Sequence, residues 1–373
     1  MGGRVSGLVR VLLAFAVLAG PSPAWATNVF RPADSSWLFT DTSSLQAGSN
    51  TLMSGSTSNT IDSGCWGCAI LSGGNSSSGG SCTGSCRNEI SNAGADISII
   101  TGGYDNVLGS TNAAVASFIG GGGHNTIDGD GGHIVIVGGS TNSISGTTVG
   151  YGFIGAGSSN SISGNYGVIV GGGTNSQAAG SDYSFIGGGN TNVVSANVDY
   201  GIIPGGQDNT VSKNYATAIG RKVASRYYGG VSQASGQILS QGDAQSSVVV
   251  SRKQTMDGTA NVELFADGAG ERLTIPGDAA IAFRVMIVAR QTNADNNAAY
   301  EFVGLCSNQA GTTGIVGSIT KTVIAETAGI AATWDADVTC LDATADAVLV
   351  RVTGGAATTI NWVSRAELTE VTG

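Results

Sequence analysis

One asparagine returns at a near-constant interval through the middle of the chain, and that period constrains the fold more than any other feature. Asn106, Asn125, Asn142, Asn160, Asn175, Asn192 and Asn209 are separated by 19, 17, 18, 15, 17 and 17 residues. Asn59 and Asn88 read as two earlier members, parted by an insertion. Six residues before the anchors stand Ile100, Ile119, Ile136, Ile154, Ile169, Ile186 and Ile203. Two residues after them come Leu108, Ile127, Ile144, Ile162, Gln177, Val194 and Val211. Four and three residues before them lie glycine pairs such as Gly102-Gly103, Gly171-Gly172 and Gly205-Gly206, with Ala156 the one exception. A unit this short cannot bury its own apolar face, so neighbouring units must stack and complete it: the pattern predicts a solenoid.

Each unit reads as a short strand, a Gly-Gly corner, a second short strand after the asparagine, and a polar return. The glycines supply positive φ at the corner, and stacked asparagines are expected to form an amide ladder. At about 4.8 Å per rung, nine or so rungs make a rod of roughly 40 Å. Just before the isoleucine column lie Ile99, Phe118, Val135, Phe153, Val168, Phe185 and Ile202. Successive strand residues point to opposite faces, so this strand is apolar on both. The second strand has a wet face instead, with Thr126, Ser143, Ser161, Ser176 and Thr210 after the asparagine and Val107 and Val193 the exceptions. Soluble monomers rarely leave a long apolar stripe in water, which predicts a self-association seam in a closed homo-oligomer. The alternative is a single-chain β-helix whose stripe the C-terminal region covers.

Composition narrows the class. The chain carries 60 Gly but only 5 Pro and no G-X-Y period, which excludes collagen. With 41% hydrophobic and 11% charged residues it is not a disordered tract. A net charge of −10 argues against nucleic acid and anionic membrane surfaces as partners. Residues 1–26 read as an export signal: Arg4 and Arg10, an apolar core from Val11 to Ala19, and Ala24-Trp25-Ala26 for cleavage. The apolar run is too short for a retained membrane anchor, and the myristoylation pattern of Met1-Gly2 with Ser6 is a weaker competitor. The mature chain is therefore expected outside the cytoplasm, secreted or on a cell or virion surface, with no membrane insertion and with residues 27–50 as an attachment segment.

Cys65, Cys68, Cys82 and Cys86 fall in the insertion, residues 65–86. Their C-x2-C…C-x3-C outline also fits a four-thiolate zinc site, but export favours disulfides; free thiols are the third option. No metal and no cofactor are expected. The solenoid spans 51–230; beyond it, in 231–373, the rhythm gives way to short β-prone runs. These are Ser247–Val250, Val262–Phe265, Leu273–Ile275, Ile281–Ala289, Tyr300–Leu305, Gly314–Ile319, Ala347–Val352 and Thr359–Ser364. Eight such strands predict a β-sandwich or jelly-roll tip, with Trp334 and Trp362 in its core and Cys306 and Cys340 as a possible bridge. The fold class is thus all-β: a glycine-rich solenoid followed by a β-sandwich.

Units such as Phe185-Ile186-Gly187-Gly188-Gly189-Asn190-Thr191-Asn192 resemble the head repeats of trimeric autotransporter adhesins, and similar repeats occur in bacteriophage tail fibres. The run Tyr215–Ala224 resembles the closing unit of such heads, and the resemblance implies a trimeric β-roll. Ala234-Ser-Gly-Gln237, Gln241-Gly-Asp-Ala-Gln245 and the closing Ile360–Val371 resemble the C-terminal domain of tail-fibre-like proteins, which implies a virion-surface role.

Chemistry-bearing residues are sparse. His124 and His133 are the only histidines, both in glycine-rich turns, and no Ser or Cys has a base beside it. Asp128 and Asp130, in Asp-Gly-Asp-Gly, form the closest carboxylate pair in the stalk; a turn is favoured over a calcium loop or a catalytic dyad. The expectation from sequence is a non-enzymatic homotrimeric fibre for adhesion or host-receptor binding, with a cell-surface glycan or protein as partner. A secreted bacterial adhesin is one alternative, and a polysaccharide-cleaving tailspike is the other.

Overall fold

The computed structural model describes residues 52–53, 59–61, 68–71, 87–91, 97–109, 115–147, 149–330, 333–341 and 346–373. Residues 1–26, read from sequence as an export signal, residues 27–50 and Cys65, Cys82 and Cys86 lie outside the described residues; Cys68 is disulfide-bonded. The described residues form strands and turns and no helix.

From Leu52 to Ala234 the chain winds as a parallel β-solenoid. Two-residue strands such as Ile99–Ile100, Phe118–Ile119 and Phe185–Ile186 stack in register as one sheet. Strands such as Val107–Leu108, Ser161–Ile162 and Thr210–Val211 stack as a second, ten-stranded sheet. Every residue of the isoleucine column from Ile100 to Ile203 is fully buried between the sheets, facing the column from Leu108 to Val211. Gln177 takes an apolar place in that second column. Its Nε2 donates to the carbonyls of Val168 and Ser184, while its Oε1 has no hydrogen-bond partner.

The asparagines stand buried at one corner and are linked rung to rung. Asn160 Nδ2 donates to Asn142 Oδ1, and Asn175 Nδ2 to Asn160 Oδ1, each over 3.1 Å. The same amides also donate to corner carbonyls of their own and the next rung, as Asn160 does to Ala156 and Gly172. This close approach explains the glycine pair unequally. A Cβ on Gly172, at φ +90°, would sit 2.0 Å from the Gly189 carbonyl oxygen; on Gly171 the nearest atom would be 3.6 Å away. The first position therefore admits Ala156, and the second does not admit a side chain.

The outer face of the first sheet carries the second apolar column. Phe185 and Ile202 are 38% and 41% exposed, and Ile99, Phe118, Val135, Phe153 and Val168 are half-buried. Asp128 does not sit in a tight turn: it extends the Thr126–Gly129 strand and pairs with Ser145, because the stacked Ser143–Gly146 strand draws it into the sheet.

After Ala234 the parallel stack continues into an antiparallel domain, since Val231–Gln233 pairs with Ser246–Val248 in reverse. Four long strands, Ala244–Thr255, Ile360–Thr372, Ala279–Gln291 and Asn297–Gln309, lie side by side in that order. A smaller sheet of Val262–Glu263, Leu273–Thr274, Asp335–Leu341 and Ala347–Thr353 packs against them. Phe283, Val285, Ile287, Tyr300, Trp334 and Trp362 fill the core between. A disulfide joins Cys306 on the large sheet to Cys340 on the small one, Cα atoms 6.0 Å apart. The Thr320–Glu326 and Asp335–Leu341 strands are additions to those read from sequence.

The solenoid ends under a plug made by the incoming chain. Gln245 behaves as a short strand toward the last rung: its Oε1 accepts the Ala224 N–H and its Nε2 donates to the Ala224 carbonyl, both over 3.0 Å. Gln241 Nε2 donates to the carbonyls of Asp208 and Val223. Asp243 holds the connecting turn by accepting the N–H groups of Ile238, Leu239 and Ser240. Burial pushes its carboxyl up, but these backbone donors outweigh that and hold it below the ordinary range.

Asn160→Ala should remove ladder bonds on both sides and leave the Asn175 N–H without its acceptor. Each orphaned buried group costs about 1–3 kcal/mol. Thermal unfolding followed by circular dichroism should show a large drop in Tm, a drop of similar size for Gly172→Ala, and little change for Ala156→Gly.

Candidate functional site

The return from the second sheet to the first carries a column that the asparagine count conceals. Three residues before the core isoleucines Ile136, Ile154, Ile169, Ile186 and Ile203 stand His133, Tyr151, Tyr166, Tyr183 and Tyr200, and Tyr215 continues the series. Each has left-handed backbone, with φ between 53° and 68°. An L-residue in this region is disfavoured by roughly 1–2 kcal/mol, and glycine would take the same shape freely. Cross-rung bonds fix the conformation: Tyr166, Tyr183, Tyr200 and Tyr215 donate their N–H to the carbonyls of Gly150, Asn165, Asp182 and Asp199.

The rings form a continuous stack. From His133 to Tyr215 the centroids are 4.6–5.3 Å apart and the planes within 7° of parallel. Tyr228 closes the series at 5.3 Å with a 58° tilt. The five tyrosines from 151 to 215 are 38–50% exposed, so their faces cover one another while their edges and hydroxyls meet solvent. For Tyr183, desolvation comes first and the neighbouring phenols and Asp182 and Asp199 follow; together they raise its pKa, so at neutral pH it is a hydrogen-bond donor.

A polar column runs beside the rings, one residue earlier in each rung: Asn165, Asp182, Asp199 and Asn214. Asp182 Oδ1 accepts the Asn165 N–H over 2.8 Å, Asp199 Oδ1 accepts the Asp182 N–H over 3.1 Å, and Asn214 Oδ1 accepts the Asp199 N–H over 3.1 Å. Asp182 and Asp199 are thus placed one rung apart, about 4.8 Å along the axis, each with one carboxylate oxygen committed to the backbone. The flank is a ridge of phenols lined by two adjacent carboxylates and two amides. Five of the nine tyrosines belong to it. Their shared phase relative to the isoleucines was the signal in the sequence.

The other candidate residues are dispersed. His124 lies at the asparagine corner, with Nδ1 3.6 Å from Asp105 Oδ2, and His133 opens the aromatic stack. Trp334 and Trp362 are buried with ring centroids 5.9 Å apart, and Trp362 Nε1 donates to Thr255 Oγ1. Among the described residues no cluster of three or more His, Cys, Asp or Glu is arranged to hold a metal.

One further carboxylate borders a cavity. Glu370 lines a space of about 600 Å³ at the junction, with Gln233, Ser235, Gln245 and Ser246. Its two oxygens are taken by Arg226 and Gln245, so it ties the C-terminal strand to the last rungs. Burial raises the Glu370 pKa, against the opposing pull of Arg226 and Gln245. A carboxyl whose folded pKa is raised contributes stability at pH below its unfolded value and loses it as pH rises through the folded one. As pH falls from neutral toward the ordinary glutamate value of about 4.3, the wild-type Tm should therefore rise relative to that of Glu370→Gln. Parallel thermal melts across that range check this.

No family model matches the chain, and no curated protein matches it. Among solved structures it is similar to the Acinetobacter phage vB_ApiP_P1 tailspike protein, at 10% identity and TM-score 0.18, covering 77% of this chain and 79% of that one. It is also similar to the tailspike gp49 from Acinetobacter baumannii bacteriophage Fri1, described as a capsular polysaccharide depolymerase, at 10% identity and TM-score 0.21, over 87% and 70%. The Acinetobacter baumannii phage AM24 tailspike aligns at 9% identity and TM-score 0.20, over 87% and 78%. None of the three is an autotransporter adhesin.

The expectation of a non-enzymatic adhesive or receptor-binding fibre is set aside against the descriptions of these neighbours, one of them a capsular polysaccharide depolymerase, and its alternative, the polysaccharide-cleaving tailspike, is taken up as a proposal. Asp128 and Asp130 are close in sequence, whereas the solenoid sets residues a full rung apart side by side, as it does Asp182 and Asp199.

Proposed function

We propose that this chain is a tailspike-like protein of the virion surface that binds and cleaves a surface polysaccharide along its tyrosine flank. The observation that carries the reading is the flank's construction: a stack of five tyrosines beside a carboxylate pair one rung apart. The left-handed backbone belongs to the turn itself, since Thr141, Ser159, Thr174 and Thr191 adopt it at the asparagine corner as well. The ring edges offer a row of hydroxyls at rung spacing, suited to the hydroxyls of an extended glycan. The ring faces are already occupied by their neighbours and offer no stacking platform.

Cleavage follows from the pair. Retaining glycosidases hold two carboxyl groups about 5–5.5 Å apart, one as nucleophile and one as acid and then base. The rung spacing of about 4.8 Å sets Asp182 and Asp199 near that separation. Asn165 and Asn214 flank them with amide groups for substrate hydroxyls. In this reading Asp182 and Asp199 are the catalytic residues and the tyrosine hydroxyls position the glycan.

Asp182→Asn and Asp199→Asn keep the oxygen that accepts the backbone N–H, so the fold should survive. Each should lower the release of reducing ends from a susceptible capsular polysaccharide by at least about 10²-fold, the usual contribution of one acid–base group. Unchanged release in both variants would remove this site from the proposal.

The apolar outer face of the first sheet is read as the seam of a homotrimer, with Phe153, Phe185 and Ile202 facing other copies. Oligomerisation takes this stripe out of water. Light scattering on the purified chain should return three times its 37.0 kDa mass, and Phe185→Lys should shift it toward monomer. A wild-type monomer at micromolar concentration would refute the seam.

A further inference from the structure

The tyrosine ridge borders the apolar seam on one edge, and a second ordered column borders it on the other. Two residues after His133, Tyr151, Tyr166, Tyr183 and Tyr200 come Val135, Phe153, Val168, Phe185 and Ile202, the outer column of the first sheet. Eight residues after them come Thr141, Ser159, Thr174, Thr191 and Asp208, at the asparagine corner. Both offsets hold through all of these rungs, so the seam keeps one width along the stack. Val137 and Val170, 50% and 49% exposed, extend its apolar face toward the corner.

The corner column is as firmly held as the ridge. Thr141, Ser159, Thr174 and Thr191 are exposed. Each donates its backbone N–H over 2.9 Å to a carbonyl of the preceding rung, those of Gly123, Ser140, Ser158 and Gly173. The column therefore recurs at the rung spacing of about 4.8 Å, as the phenols do. At the two rungs that carry Asp182 and Asp199 the corner supplies Thr191 and Asp208, and Asp208 is neutralised by Lys222 Nζ over 3.0 Å. Within one chain the two columns stand on opposite edges of the sheet and cannot line one groove.

Burying the seam brings them together. Copies related by rotation about the rod axis keep every rung at its own height, and one edge of each copy meets the opposite edge of the next. In such a ring the ridge meets a corner and never another ridge. We propose that the glycan groove is completed by the neighbouring copy. The phenols and carboxylates of one chain form one wall, and the partner subunit's Thr174 and the partner subunit's Thr191 form the other, exchanging hydrogen bonds with sugar hydroxyls. The inference rests on the seam and the cleaving flank proposed above, and it adds that no single chain holds a whole site.

The test has two arms, both on the full chain. For the geometry, Tyr183→Cys and Thr191→Cys are co-expressed as separately tagged chains and treated with a short bismaleimide. Cross-links joining one chain of each kind are expected, and neither variant alone should cross-link. Tyr166→Cys with Thr174→Cys repeats the measurement one rung earlier, so that a misfolded variant does not decide it. Ridge-to-ridge links, or no links in an oligomer whose mass light scattering confirms, would overturn the proposal. A monomeric mass would remove the seam and this proposal with it.

For the chemistry, Thr191→Trp crowds the corner and leaves its own flank untouched. It should lower reducing-end release at least about tenfold, because the substrate loses its reacting position. Co-expressed in equal amounts with Asp182→Asn, it should recover about one quarter of wild-type release, the share of interfaces that pair an intact carboxylate with an intact corner. Thr191→Ala should raise KM roughly fivefold at unchanged kcat, the loss of one neutral hydrogen bond to substrate. Full release by Thr191→Trp alone, or no recovery in the mixture, would refute the shared groove. Mixed cross-links in a wild-type chain that releases no reducing ends would dismiss the cleavage reading and leave the shared wall standing.

Discussion

The whole solenoid hangs on how closely two backbones approach at the asparagine corner. Each buried amide satisfies its own rung, the rung before and the rung after, and this is geometrically possible only because the second glycine has no Cβ to hold the carbonyls apart. An amide left in that position without its ladder would be a buried polar group with nowhere to bond. The ladder therefore sets the register, and register decides every column that follows: isoleucines inward, Phe185 and its counterparts outward, tyrosines at the opposite corner.

That dependence explains what could be read from the sequence. The rungs were legible because the asparagine, glycine and isoleucine positions keep fixed mutual offsets. The tyrosine flank was not, because the variable period is absorbed between the asparagine and the tyrosine: Tyr151 follows Asn142 by nine residues, and Tyr166 follows Asn160 by six. Counted from the next isoleucine the offset is constant. In the C-terminal domain, alternation marked strands such as that of Phe283, Val285 and Ile287, which bury one face. Thr320–Glu326 escaped notice because it is exposed along nearly its whole length and has no buried side to print a pattern. Asp335–Leu341 was hidden by aspartates at its outward positions.

The functional reading turns on the same geometry. In a globular enzyme, catalytic pairs come from loops brought together by tertiary packing; in a stack, any residue acquires a copy-like neighbour one rung away. Asp182 and Asp199 belong to an otherwise amide column, so the interior ladder logic of Asn165 and Asn214 carries over to them while adding charge. Sites of this sort are invisible to motif spacing and visible to column composition.

The Gln245 side chain that imitates a strand at the last rung has a consequence for the life of the molecule outside its fold. A parallel stack is an open template whose end exposes unmet N–H and C=O groups and invites another chain to add on, as amyloid seeds do. By occupying the Ala224 groups with a side chain, which has no second edge of its own to offer, the protein ends its sheet in a dead stop. A rod terminated in this way keeps one length and resists end-to-end polymerisation, which a repetitive glycine-rich sequence would otherwise favour.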